Sequence, residues 1–410
     1  MLTSKISLFL FAGLSCLLGA SAWASDYKAA LYTLSQEADQ AILISALHQN
    51  GSAEFVSSIQ TGGKGAGARG QDALQSSDSL LVHRNLLFAL NSASDELSLF
   101  HIDPKEPWDI QQIGNNTWSG GRYPTSIAVS PDSTKALGHN TQTNAAVPLP
   151  QSINESGLEL IPSFSFDLGL NQTDPPVGPP KTPSDLSFTA DGQILFVTVK
   201  GSGNATEGLA GRIEIFDVSS DTVSHKSTVY AASGPGGLPF SVTPIADSAA
   251  YLVTDPTGGA DILRIERDGS ISYNASIAIP GQAATCWSAY SPVTDRYFTI
   301  DLTRSVITPL TINSTTLEAT LFPGYNVTTS SGKPGSLVDA RIAHFSDQQD
   351  YLYSLVAGDQ TVRVFSLPAG GQSGTLDLVQ TYELGVAYNS TGGAVGMSIE
   401  GLAVFIRSSW

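Results

Sequence analysis

The chain has 410 residues and carries 20 Lys and Arg against 37 Asp and Glu, a net charge of -17. A surface this acidic repels nucleic acid and anionic membranes, which excludes both as expected partners. Charged residues make up only 14% of the chain while Gly numbers 39 and Pro 22, a composition that suits short strands between turns better than amphipathic helices.

Residues 1–24 read as a secretory leader. Lys5 precedes an apolar run from Ile6 to Leu18, and Ala22-Trp23-Ala24 supplies an Ala-x-Ala cleavage site. The run is shorter than the ~20 residues that span a bilayer, so cleavage is favoured over anchoring and a secreted, extracellular or cell-wall location is expected. Cys16 leaves with the leader and Cys286 remains alone in the apolar phrase Ala-Ala-Thr-Cys-Trp, where it reads as a small core residue with no disulfide partner. Export gives meaning to nine Asn-x-Ser/Thr triplets, at Asn50, Asn115, Asn154, Asn171, Asn204, Asn274, Asn313, Asn326 and Asn389, which predict a glycoprotein.

The remaining residues 25–410 are organised by a repeat. A strand, a polar turn and a second strand ending in a carboxylate run from Pro239 to Asp255, and the same pattern recurs from Ala284 to Asp301 with its turn Asp displaced from 247 to 295. Aligned on the second strand, six copies appear in chain order, starting at Leu87, Ala136, Leu195, Tyr251, Tyr297 and Leu352. Asp and Gly in the preceding turns tolerate the backbone angles required there. Alternating third strands follow, as in Glu96–Ile102, Arg212–Val218, Asp261–Glu266 and Thr361–Leu367. Ala29–Gly63 supplies a less regular further unit, and Met397–Ile406 is a strand without a partner of its own. Placed as the innermost strand of the first unit, it closes a ring and leaves no open sheet edge. The expectation is one all-β domain, a seven-bladed β-propeller with blades of about four antiparallel strands. Segments 62–78, 168–183 and 324–333 read as long loops.

The Ser-Pro-Asp type turn followed by a strand ending in Asn or Asp, the phrase Gly281-Gln-Ala-Ala-Thr-Cys-Trp287 and the period of about fifty residues resemble the lactonase-type seven-bladed propellers. That family includes 6-phosphogluconolactonase and the fungal 3-carboxy-cis,cis-muconate lactonizing enzyme, or carboxymuconate cyclase. The resemblance implies a metal-free, cofactor-free site at one mouth of the central channel, built from a His, arginines and a Glu. Where the family enzymes carry a Pro-Arg-His step this chain has Leu238-Pro239-Phe240, and a carboxylate survives at Asp255 in place of the family's Asn-Glu-Leu.

Strand ends that face a channel mouth bring Asn91, His139, Asn140, Lys200, Asp255 and Asp301 toward one rim, with Arg122, Asp185, Asp339, Arg341 and Glu400 near the starts of inner strands. In the catalytic reading His139 or Asp255 handles a proton and Arg341 or Lys200 binds an anion, with Asn91, Asn140, Asp301, Arg122 and Asp185 as further substrate contacts. The scattered histidines offer no metal-ligand spacing. Two functions stay open. One is a metal-independent lactonase or cycloisomerase acting on a small carboxylated lactone or muconate. The other is a non-catalytic extracellular glycoprotein, a monomer that uses the propeller as a binding or adhesion platform.

Overall fold

The computed structural model describes residues 27–67, 69–132, 136–142, 157–158, 168–170, 172–220, 222–370, 376–385 and 398–407. The leader and the sequons at Asn154, Asn171 and Asn389 lie outside them.

Period-two sequence and frequent turns produce seven antiparallel sheets among the described residues, all but the first ordered outward along the chain. The second sheet contains Leu80–His83, Leu86–Asn91, Glu96–Ile102 and Ile110–Gln112, and the third contains Arg122–Val129 and Ala136–Gln142. The fourth is Pro183–Phe188, Ile194–Val199, Arg212–Asp217 and Ser224–Tyr230; the fifth is Val242–Pro244, Ala250–Asp255, Gly259–Ile265 and Ile271–Ala278. Thr285–Ser291, Arg296–Asp301, Val306–Ile312 and Ala319–Leu321 form the sixth, and Leu337–Ser346, Gln349–Val356, Thr361–Pro368 and Asp377–Glu383 the seventh. All six strands expected from the repeat fall second in their sheets. The architecture is an all-β propeller. Six sheets have four or five strands and make full blades where seven were expected; the third shows two strands among the described residues, because much of the chain after Gln142 lies outside them.

The first sheet closes the ring. Its order is Ile399–Ile406, Tyr27–Ser35, Ala41–His48, Ala53–Gln60, so the final strand is innermost and pairs antiparallel with the first, Ala30 opposite Phe405 and Thr33 opposite Leu402. Each inner strand packs on the next, round to the closing strand again. Burial follows radius. Ile194–Val199 and Ala250–Asp255 are buried along their whole length, whereas the outer strand Ile271–Ala278 alternates between half-buried and exposed residues because one face meets water.

A recurring irregularity shapes the channel mouth. Where the inner strand pairs with the second, the register slips in the first, third, fourth, sixth and seventh sheets, near Glu400, Thr125, Ser184, Cys286 and Asp339. Such bulges re-aim side chains. In the closing strand the slip needs Gly401, whose φ is +115° and whose position leaves no room for a side chain: a Cβ there would lie 2.5 Å from Ser79 Oγ.

Leu402 is fully buried in the largest apolar cluster and its N–H is bonded to Asp339. Leu402→Ala is therefore expected to lower the unfolding free energy by about 2–5 kcal/mol in urea denaturation. Leu378→Ala, on an outer strand and 47% exposed, is expected to change it by less than about 0.5 kcal/mol.

Candidate active site at the channel mouth

The polar residues that end the second strands are anchors for the loops entering their own sheets. Asn91 Oδ1 accepts from Thr61 Oγ1 at 2.6 Å, and Asn140 Oδ1 accepts from Ser119 Oγ at 2.7 Å. Asp255 accepts from Ser233 Oγ, from the Leu238 N–H, and from both the N–H and hydroxyl of Thr257. Asp301 accepts from the N–H groups of Ala283, Ala284 and Arg304. All four are buried, so these groups organise the rim and their polar atoms are committed to it. Of the residues expected to act on substrate, Asp255 thus serves as a turn anchor. His139 lies opposite Ser126 in the second strand of the third sheet, its backbone placed and its side chain outside the described residues. Arg122 is exposed and paired with Asp174 at 2.9 Å, away from the inner carboxylates.

Deeper in the channel, carboxylates stitch inner strands together. Asp185 accepts from the Val242 N–H at 2.8 Å, joining the fourth sheet to the fifth, and Asp339 accepts from the Leu402 N–H at 2.9 Å, joining the seventh to the first. Arg341 binds Asp339 at 2.8 Å and reaches Asp78, just before the second sheet. Burial pushes Asp339 up to about 6, with Arg341 opposing the shift, and burial together with Asp78 holds Asp185 well above the usual carboxylate range. Arg341 and Asp255 share no hydrogen-bond partner among the described residues.

What does assemble is Asp72, Glu400 and Lys200. A cavity of about 580 Å³ opens at the mouth, lined by Asp72, Gln75 and Lys200 and by the apolar Leu238, Phe240 and Leu302 among others. Lys200 is fully buried, and its ammonium donates to Gln75 O at 2.6 Å, Pro183 O at 3.1 Å and Ser184 Oγ at 2.6 Å. Burial pulls this ammonium down to about 7, and the neighbouring Asp72 charge resists. Three acceptors for three N–H groups also favour the charged form. Asp72 remains partly open to the cavity and is pushed up to about 6 by burial, against the pull of its hydrogen bond with Glu400 and of the Lys200 charge. Glu400, buried and accepting from the Leu74 N–H at 2.9 Å, is pushed well above the usual range by burial and then by Asp72. Burial thus favours the protonated form of Glu400, and the two neighbouring carboxyls titrate as a pair, with Asp72 the one that meets the cavity. Cys286 also lines the cavity, but burial raises its thiol, so it stays protonated. Among the described residues no group of three His, Cys, Asp or Glu could hold a metal ion.

Sequence reasoning found Lys200 and Glu400 and missed Asp72. It lies in the Gly-rich stretch after Gly62, outside every repeat, where only its distant partners give it meaning.

No protein-family model and no curated protein sequence matches this chain. Solved structures similar to it include a proposed 6-phosphogluconolactonase from Bacteroides uniformis, with a TM-score of 0.64 at 13% identity over 92% of this chain and 99% of that one. The periplasmic gluconolactonase of Pseudomonas aeruginosa gives 0.63 at 14% identity, over 92% of this chain and all of the other. A proposed 6-phosphogluconolactonase from Bacteroides fragilis gives 0.64 at 13%, over 93% and 98%. At such identity the likeness is one of fold.

Asp261, opposite Val253 in the fifth sheet, is pushed up to about 7 by burial and then by Asp255. Its folded value lies above its unfolded one, so its contribution to stability is present below the usual Asp range and is lost as pH rises toward 7. Asp261→Asn removes that loss. Its Tm is expected to gain on that of the parent protein as pH rises from about 4 to about 7 and to keep that lead above, as thermal unfolding across that range will show.

Proposed function

We propose that this chain is an exported, glycosylated lactonase-like propeller that opens a small lactone at its channel mouth, with the third sheet as the inner half of a seventh blade. The observation that carries the reading is the partly open Asp72 carboxylate, poised near neutrality at the floor of a cavity and paired with a protonated Glu400. Asp72 takes a proton from water as the water oxygen attacks the lactone carbonyl, then returns it to the ring oxygen as the C–O bond breaks, leaving a hydroxy acid. Glu400 positions and tunes Asp72, and the Lys200 charge stabilises its ionised form. The fold shared with lactonases supports the assignment, as analogy. Export and glycosylation are supported by the leader and by the exposure of all six described sequon asparagines, Asn50, Asn115, Asn204, Asn274, Asn313 and Asn326. The charge of -17 supports a monomer that engages neither nucleic acid nor membrane.

Lactone turnover by the purified protein is the test, with kcat/KM followed against pH. The rate is expected to rise as pH passes through about 6, where Asp72 loses its proton, and Asp72→Asn is expected to lower it by about a hundredfold or more. Lactone binding without turnover by the unaltered protein would replace catalysis with the binding-platform reading.

A further inference from the structure

The mouth cavity is lined by unlike groups, charged and apolar, and their chemistry selects among lactones. We propose that it takes an uncharged lactone carrying an apolar substituent, in preference to a phosphorylated or carboxylated one. This rests on the lactonase reading of the same site.

Three observations support the assignment. First, about 580 Å³ is within the range of roughly 300–1,000 Å³ that encloses a drug-sized molecule, so a lactone ring on Asp72 leaves room for a substituent. Second, the lining includes Leu238, Phe240, Ala284 and Leu302, with Phe240 seated edge-on against Trp287 at 5.1 Å. A substituent lying there removes apolar surface from water, which is favourable for a hydrocarbon chain and unfavourable for an ionised group. Third, charge at the floor is arranged against an anion. Asp72 and Glu400 lie side by side, and Lys200, the one cation among the described lining residues, has no surface open to the cavity. Its three N–H groups are directed to Gln75, Pro183 and Ser184, and the Phe240 ring lies 5.0 Å from its Nζ. An incoming phosphate or carboxylate would lose its water without gaining a donor from this ammonium. The muconate-type substrate expected from the sequence meets the same obstacle.

The experiment compares kcat/KM for three lactones on the purified protein: a neutral six-membered lactone with a pentyl chain, glucono-1,5-lactone, and 6-phosphogluconolactone. In parallel, calorimetry compares a pentyl-substituted lactam, which resists hydrolysis, with its carboxylated counterpart. The expected result is a preference of about tenfold or more for the pentyl lactone over the phosphorylated one and for the neutral lactam over the carboxylated one. Leu238→Lys, which places a cation among the apolar lining residues, is expected to shift the preference toward the phosphorylated lactone by about tenfold. Equal or better turnover of 6-phosphogluconolactone by the unaltered protein overturns the proposal and leaves the lactonase reading intact. If no lactone is turned over while the neutral lactam binds about tenfold tighter, catalysis falls and the ligand class stands. Failure of the neutral lactam to bind overturns the ligand class.

Discussion

One strand pairing carries this molecule. The closing strand Ile399–Ile406 lies inside Tyr27–Ser35, joining chain segments more than 360 residues apart in sequence. The loop-closure entropy of that contact grows only slowly with separation, and burial of Ile399, Leu402, Ala403 and Phe405 helps offset it. A propeller without it would expose the inner edge of its first sheet, a row of unpaired N–H and C=O groups facing the channel. The same strand brings Glu400 to the mouth and the Leu402 N–H to Asp339 one level below. Ring closure and assembly of the site are therefore one event.

Electrostatics within the channel follow from its geometry. Seven inner strands converge on a narrow axis where charge is poorly hydrated, and carboxylates there survive by accepting main-chain N–H groups. Asp185 and Asp339 do so, each bound to the neighbouring inner strand. Asp72 and Glu400 each accept a main-chain N–H as well, from Gln75 and Leu74, and lie close enough for their proton affinities to be linked. Asp185 and Asp339 lie buried between strands and serve structure, whereas Asp72 is partly open and lines the cavity, where its proton affinity suits general acid–base chemistry.

The repeat made most of the fold legible, because period-two alternation between turn residues is a local signal and the second strands fell where it put them. Closure was also legible, from a final apolar strand that lacked a partner. The site was harder. Asn91, Asn140, Asp255 and Asp301 stand at the mouth in register with one another, and the local pattern that made them visible reflects a shared structural role, since each ties down the loop before its own sheet. Asp72 left no periodic trace, since its surroundings come from Glu400 more than 300 positions later and from Lys200 in the fourth sheet. Nor does alternation reveal bulges. The register slips that set Ser184, Cys286 and Asp339 at the channel appear only when two strands are laid side by side.

Chemistry in a repeat protein belongs where the repeat departs from itself, and the fourth sheet shows why. At the position where the second strands of the second, fifth and sixth sheets end in Asn or Asp, this one has Val199, as the seventh has Val356, an apolar residue that cannot tie the incoming loop. Lys200, one residue later, does so from the opposite electrical sign: its ammonium holds Pro183 O and Ser184 Oγ at the start of its own inner strand, and also Gln75 O on the segment that carries Asp72. Exchanging a hydrogen-bond acceptor for a cation keeps the loop anchored. It also sets a positive charge beside two carboxyls in a poorly hydrated space, where its effect on their proton affinity is large. A cation in the anchoring role thus fixes the incoming loop and sets its charge beside Asp72 and Glu400 at once.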